Sequence, residues 1–406
     1  MLRYLVSLLN IILQKIKNND NIGVKPAIFY GQHIMEVNQQ LIADKLGISR
    51  TTVSRCFTNH PGINPDTRAA VFSLASKLGY NYLEPRSNGK QGSRPNRKTI
   101  AVLICSAVEE YNRSDYESPG FQLLPGISEY AQLKKLQLDI HIIDPKEDNL
   151  DKGTYKKLLK DKKSLWDGVL LVYPFPAEVI QGLMRQFPCV SLVEQFGAQD
   201  LDCIDVDHNR GVSHLIQRLI DEGHRRIGFF SRRYSVEPLW VYRRFSAFVE
   251  KLTRAGLQYR PDDVLNLYKD DTYTLEESYQ KAIQQTNDGV TAWICPADHI
   301  AYDFISVFNQ YGLIAGKNYS ITGFDGIPNS ASQFDLTTIQ IPYREIGFQA
   351  ARRLNDLLES RFSATQHVYL NGKILAGNSD ARILAGNSDA RILAGNSDAR
   401  ILEETK

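Results

Sequence analysis

From Lys98 onward the chain alternates short, nearly unbroken apolar runs with amphipathic helical stretches, and that alternation restricts what it can fold into. A strand covered on both faces of a parallel sheet reads as a continuous apolar run rather than a period-two pattern. Residues 99–104, 138–143, 168–172, 189–193 and 203–206 read this way, with a helix predicted around 121–135. A helix at 211–222 leads into a second set: strand 226–230, helix 244–255, strand 292–295, helix 300–311 and strand 319–324. Two such sets predict two α/β lobes with parallel sheets, and a cleft at the carboxyl ends of their strands. Small molecules bind in clefts so placed.

A smaller helical module precedes the lobes. Leu41-Ile42-Ala43-Asp44-Lys45-Leu46 is apolar-periodic, with Asn38 placed to cap it. Gly47 supplies the positive-φ turn that a steep helix–helix junction needs, and Ser49 can cap the next helix. That second helix presents Arg50, Thr51, Ser54 and Arg55 outward, guanidinium forks for guanine edges and hydroxyls for phosphate oxygens. A third helix opens at Asn64-Pro65-Asp66-Thr67 and repeats apolar residues at Val71, Leu74, Ala75 and Leu78. Three helices of this kind make a helix-turn-helix bundle that reads DNA.

Charge agrees with this division. Residues 35–98 hold ten Lys/Arg against four Asp/Glu, and residues 1–34 hold four against one, although the whole chain is only +2. A basic amino-terminal part on an acidic body suits phosphate binding. The five cysteines are scattered without metal-ligand spacing, as expected of small core residues in a reduced compartment. Residues 4–13 are apolar but too few to span a bilayer, so 1–34 is expected to be a poorly ordered extension and the chain cytoplasmic, without a membrane partner.

Several motifs together resemble the lactose/galactose-repressor (LacI/GalR) family of transcriptional regulators. Ser49-Arg50-Thr51-Thr52-Val53-Ser54-Arg55 is similar to its recognition helix, and Thr67-Arg68 with Leu78-Gly79-Tyr80 to its third helix. Asp205-Val206-Asp207-His208-Asn209-Arg210-Gly211, Gly223-His224-Arg225-Arg226-Ile227-Gly228, Gly323-Phe324-Asp325, Thr338-Ile339 and Glu345-Ile346-Gly347 follow in the family's order. The resemblance implies a helix-turn-helix headpiece at 35–83, a hinge at 84–98 and a periplasmic-binding-protein-like sensor at 99–382. It also implies a homodimer on a pseudo-palindromic operator, acting as a repressor whose affinity follows a small effector, commonly a sugar.

Carried over residue by residue, Arg50, Thr51 and Arg55 take base-reading positions, and Asn38, Ser49, Thr52 and Ser54 phosphate-contacting ones. Arg244 and Asp298 match effector-binding positions, an arginine fork and a carboxylate suited to a vicinal diol. Phe121 stands where the family often sets an aromatic against a sugar ring, although ordinary packing explains it as well, and Trp240 is a weaker cleft candidate. Trp166 reads as core.

The hinge departs from the pattern: Glu84-Pro85-Arg86-Ser87-Asn88-Gly89 puts glycine where a minor-groove leucine would stand, and both Pro85 and Gly89 disfavour a helix. Arg86, Lys90, Arg94, Arg97 and Lys98 could still contact phosphates. A flexibly tethered headpiece and a shallow DNA bend are expected.

Asp207, His208 and Asn209 are expected to hold a loop and cap a helix, and His224 to be structural. Residues 312–318 miss the phosphate-loop pattern in spacing and in their final residue, and no catalytic signature occurs, so neither an enzyme nor a cofactor or metal is expected. A transport-type binding protein is the alternative, but it has no use for Arg50 and Arg55. Finally, Ile-Leu-Ala-Gly-Asn-Ser-Asp-Ala-Arg occurs three times in tandem from Ile374, Ile383 and Ile392. The first copy is expected to complete the sensor, and 383–406 to form a disordered tail, or else a stack on a sheet edge or an intersubunit contact.

Overall fold

The structure is a computed structural model that describes residues 27–30, 33–58, 60, 62–78, 80, 97–105, 119–162, 166–196, 200–234, 236–265, 273–327 and 335–380. The expectations for residues 1–26, for 81–96 of the hinge and for the tail beyond 380 lie outside these residues.

An antiparallel hairpin, β1 (Ala27–Tyr30) with β2 (His33–Glu36), precedes the first helix. Then come α1 (Gln39–Leu46), α2 (Arg50–Phe57) and α3 (Pro65–Lys77). Their core is small: Ile42 and Ala43 from α1, Val53, Cys56 and Phe57 from α2, and Val71 and Ala75 from α3. Arg68 is buried beneath them and donates to the His60 carbonyl at 2.8 Å, which pins the α2–α3 loop.

The first lobe contains β3 (Thr99–Cys105), α4 (Pro119–Gln122), α5 (Leu124–Leu133), β4 (Gln137–Ile143), α6 (Gly153–Lys162) and β5 (Gly168–Val172). It continues through α7 (Ala177–Met184), β6 (Cys189–Leu192) and β7 (Asp202–Val206). The second lobe holds α8 (His208–Asp221), β8 (Ile227–Phe230), α9 (Leu239–Arg254), β9 (Val264–Leu265), α10 (Leu275–Asn287), β10 (Ala292–Ile294), α11 (Asp298–Gln310) and β11 (Ser320–Thr322). The chain then passes β12 (Thr338–Gln340) and returns to the first lobe as α12 (Tyr343–Leu358) and β13 (His367–Leu370). It ends with β14 (Lys373–Leu375).

The first sheet has the order β13-β7-β6-β5-β3-β4 and the second β11-β10-β8-β9, and every pairing within both is parallel. Full burial of β5, β6 and β7 explains why their sequences lack alternation. α12 packs along α5 and over β5 and β6, and Gly126 permits the close approach, because a Cβ there would lie 1.8 Å from the Arg344 carbonyl. The lobes are joined three times: from β7 into α8, from β12 into α12, and from β13 into β14, with β12 and β14 paired antiparallel between the lobes.

The first tandem copy does complete this fold. Ile374 and Leu375 form part of β14, and Ser379 and Asp380 are buried. Trp166 is core: its Nε1 donates to Asp139 at 2.7 Å and its ring tilts against Phe187. Among the described residues, no helix is long and apolar enough to cross a membrane.

Candidate functional site

Two sites emerge, one on α2 and one between the lobes. Asn38 caps α1 by accepting the Leu41 N–H at 3.0 Å. Gly47 then takes φ +64°, the left-handed conformation that ends a helix sharply. Ser49 Oγ accepts the Thr52 N–H at 3.0 Å and lies 2.9 Å from Thr52 Oγ1, which starts α2 at a fixed angle to α1. Val53, Cys56 and Phe57 face inward, so helical periodicity turns Arg50, Thr51 and Arg55 to solvent, with Thr52 and Ser54 half-buried beside them. Among the described residues, Arg50 and Arg55 engage no carboxylate and no hydrogen-bond acceptor. Two cations are thus held out on a rigid helix beside the hydroxyls of Thr51 and Ser54. Asn38 and Ser49 use their oxygens as helix caps, leaving the Asn38 amide nitrogen as the group able to donate to phosphate.

The headpiece rests on the first lobe through α3 and α5, and Ala69 joins that lobe's core. Arg344 bridges the two parts, 2.9 Å from Asp66 and 3.0 Å from Glu129. Each of these exposed pairs adds little by itself.

Between the lobes, Arg244 is buried and sandwiched: its guanidinium carbon lies 3.8 Å from the Phe324 ring centroid and 4.6 Å from that of Trp240. It donates to the Pro296 carbonyl and, through Nε, to His208 Nδ1 at 3.1 Å, with Asp325 3.5 Å away. Because His208 Nδ1 accepts, its proton sits on Nε2 and points at Asp205, 3.0 Å distant. Burial pushes the His208 pKa down and keeps the ring neutral. Burial alone would raise Asp205, but His208 and the Val206 N–H outweigh it and hold this carboxylate below its usual range. A continuous polar chain therefore runs from β7 through His208 to Arg244 and the second lobe.

Asp298, the first residue of α11, is fully buried. It accepts the Ile327 N–H at 2.9 Å and the Thr338 hydroxyl at 2.5 Å. Burial, then the nearby Asp325, pushes its pKa up to about 7. Gly323 leaves room for it, since a Cβ there would meet Asp298 Oδ1 at 2.2 Å.

Arg244 and Asp298 are thus brought to one place, joined through Asp325, which faces Arg244 at 3.5 Å and the Asp298 N–H at 3.4 Å. Trp240 joins them as the ring over Arg244. Phe121 packs into the first lobe's core, although α4 starts where a Cβ on Gly120 would meet Tyr173 and Ile104 at the carboxyl edge of β5 and β3.

Sequence reasoning missed three participants. The sequence places His208 only in a capping cluster. Asp207 is the residue that caps α8, accepting the Arg210 N–H at 2.9 Å, while His208 turns inward to Arg244. Asp325 is marked in the sequence only by the Gly323-Phe324-Asp325 motif. Glu194, on the loop after β6, is fully buried and accepts the Leu239 N–H at 3.0 Å at the start of α9. Burial, reinforced by Asp205, pushes its pKa up to about 8. It clasps the second lobe from the first, and no local pattern marks it. His224 is structural, buried and 2.9 Å from Thr291 Oγ1, with its pKa pushed down to about 4 by burial.

A sequence profile of the periplasmic binding protein-like domain matches residues 216–379. The HTH-type transcriptional repressor CytR of Escherichia coli (strain K12) is 28% identical over 344 residues, spanning 82% of this chain and 92% of that protein. Among solved structures, the Lac repressor dimer bound to operator and the anti-inducer ONPF superposes with a TM-score of 0.57 at 19% identity, covering 85% of this chain and 99% of that one. A complex of the transcriptional regulator CelR with cellobiose also gives 0.57 at 19% identity, covering 84% and 99%. The two-lobed α/β architecture and its helical headpiece are shared with these proteins.

Proposed function

We infer that this chain belongs to the lactose/galactose-repressor (LacI/GalR) family and is a ligand-responsive DNA-binding transcriptional regulator. It acts as a repressor, a dimer on a pseudo-palindromic operator, whose affinity is set by a small carbohydrate between the lobes. The observation that carries this reading is the pairing, in one chain, of an unengaged cationic recognition helix with a buried arginine–carboxylate centre at the lobe junction. The relative CytR is named a transcriptional repressor, and the two structural neighbours were solved with an operator and with cellobiose.

Arg50, Thr51 and Arg55 read base edges in the major groove, while Asn38, Ser49, Thr52 and Ser54 flank them toward phosphates. A sugar takes its place against Trp240, with Phe121 behind the adjoining wall. Its vicinal hydroxyls accept from Arg244 and donate to Asp298, replacing the contacts these groups make to Pro296 and Thr338. Engaging Arg244 disturbs His208 and Asp205 at the β7–α8 crossing, so ligand occupancy changes the lobe angle and the spacing of paired headpieces. No turnover is required of these residues: the protein works by binding, in the cytoplasm, where its DNA is.

The test is thermal unfolding against a panel of mono- and disaccharides. One sugar should raise the midpoint of the wild-type protein and leave that of Arg244→Ala unchanged. A sugar that stabilises both equally would bind elsewhere, and the cleft assignment would fall.

A further inference from the structure

The end of the second lobe is closed by a slot most of whose contacts fall inside the nine-residue repeat; outside it, Lys373 pairs with Gln340, and Gly372 lies where a Cβ would meet Ile339 at 2.4 Å. Ile374 and Leu375 pair with Ile339 and Thr338 of β12. Gly377 N–H donates to Thr337 Oγ1 at 2.9 Å, and a side chain there is barred, since a Cβ would lie 1.9 Å from the Asp335 carbonyl. Ser379 extends β11: its carbonyl accepts the Ile321 N–H at 2.9 Å, its hydroxyl donates to the Ile321 carbonyl at 2.7 Å, and the same oxygen accepts the Thr337 N–H at 2.9 Å. Asp380, buried, binds Arg218 of α8 and accepts the Thr337 hydroxyl at 2.7 Å. The slot therefore reads Ile-Leu-x-Gly-x-Ser-Asp, and that string recurs unchanged at 383–389 and 392–398. Even the strand's first residue, Lys373, is matched in charge by Arg382 one register on.

We propose that this slot accepts any of the three copies in cis, so that the third inter-lobe crossing is an interchangeable segment and not a unique one. Within the repeat the copies offer the slot identical residues. They differ in the connector from Leu370, which is three residues long for the first copy and twelve for the second, and in the alanine, Ala381, that stands in register with Gly372, which the longer connector must carry clear of Ile339. Loop closure scaling as the −3/2 power of length disfavours the second copy by roughly eightfold and the third by roughly twentyfold. The first copy dominates, the second is a standing minor occupant, and damage to the first hands the slot to the second. This inference is independent of the effector and operator assignments.

The test uses three full-length variants. In the first, copy one alone is disabled by Gly377→Val, Ser379→Ala and Asp380→Ala. In the second, the same changes are made in every copy, adding Gly386→Val, Ser388→Ala, Asp389→Ala, Gly395→Val, Ser397→Ala and Asp398→Ala. In the third, only copies two and three are changed. Disabling copy one should lower the unfolding midpoint by no more than about 5 °C, the cost of the longer connector. Disabling all copies should lower it by more than about 10 °C or abolish the transition, and changing copies two and three should leave it as in wild type. Tryptic mapping of the first variant should show cleavage gained after Lys373 and protection at Arg382. Equal destabilisation of the first and second variants would overturn the proposal, as would a second variant of wild-type stability. Rescue of the first variant that depends on protein concentration, with dimer growth on size exclusion, would also overturn it by placing the second copy in another chain.

Discussion

Replacing Glu194 by glutamine isolates the contact by which the first lobe holds the start of α9. The carboxyl is fully buried, accepts the Leu239 N–H, and has a pKa near 8 against an ordinary 4.5. The sign follows from proton counts. Between pH 4.5 and 8 the folded protein keeps a proton that the unfolded chain has released, so stability falls as pH rises through this window. Below 4.5 the contribution is fully present, and above 8 it is fully lost. Relative to a neutral side chain the penalty is below about 1 kcal/mol at pH 5 and grows to about 3 kcal/mol at pH 7 and about 5 kcal/mol at pH 9, from the rise of the carboxyl from 4.5 to about 8. Glutamine keeps an acceptor for the Leu239 N–H and carries no charge. Its steric and hydrogen-bonding effects are the same at every pH, so the change with pH is the diagnostic quantity. Urea unfolding followed by tryptophan fluorescence suits the purpose, because Trp166, Trp240 and Trp293 all lie in the two lobes. The stability of Glu194→Gln minus that of wild type should grow by about 4 kcal/mol from pH 5 to pH 9. Parallel profiles would show that Glu194 is solvated and that the lobes do not close on it.

Other perturbations have equally definite outcomes. Arg55→Ala should weaken operator binding by about 1–3 kcal/mol with an unchanged unfolding midpoint, read by fluorescence anisotropy; unaltered affinity would remove Arg55 from the interface. Gly47→Ala meets no atom within 4 Å, so its cost is the left-handed φ alone, about 1 kcal/mol, and Gly47→Asn should cost less in the same denaturation assay. Arg353→Met leaves Asp202 buried without its 2.7 Å partner and should cost about 3–5 kcal/mol, whereas a loss below 1 kcal/mol would mean water reaches that carboxylate.

The parts legible in the sequence were those with local causes. β5 spans Gly168–Val172, as its unbroken apolar run predicts, because a strand covered on both faces leaves no polar positions. The two caps and the glycine around α2 lie within twelve residues and specify the helix-turn-helix without tertiary information. α9 begins at Leu239, five residues earlier than its pattern suggests. Pro238 makes no side-chain cap, and Glu194 from the other lobe satisfies the helix start instead. The short helices α6 and α7 went unmarked, and α8 starts at His208, ahead of the predicted Gly211. The effector centre is half legible: Arg244 and Asp298 come through family resemblance, while the local pair Asp205–His208 and the distant Asp325 meet at Arg244 only after the fold assembles. For Phe121 the packing reading holds: its ring is taken up by the first lobe's core.

The central claim is that one chain couples cleft occupancy to DNA reading. Its most direct test is a titration of the full-length protein onto labelled DNA from upstream of its own gene, with and without the sugar that stabilises it. The account predicts binding to one pseudo-palindromic segment and a shift in affinity of about 5–150-fold on adding that sugar, lost in Arg244→Ala. Tight, sequence-specific binding whose affinity the stabilising sugar leaves unchanged would contradict it.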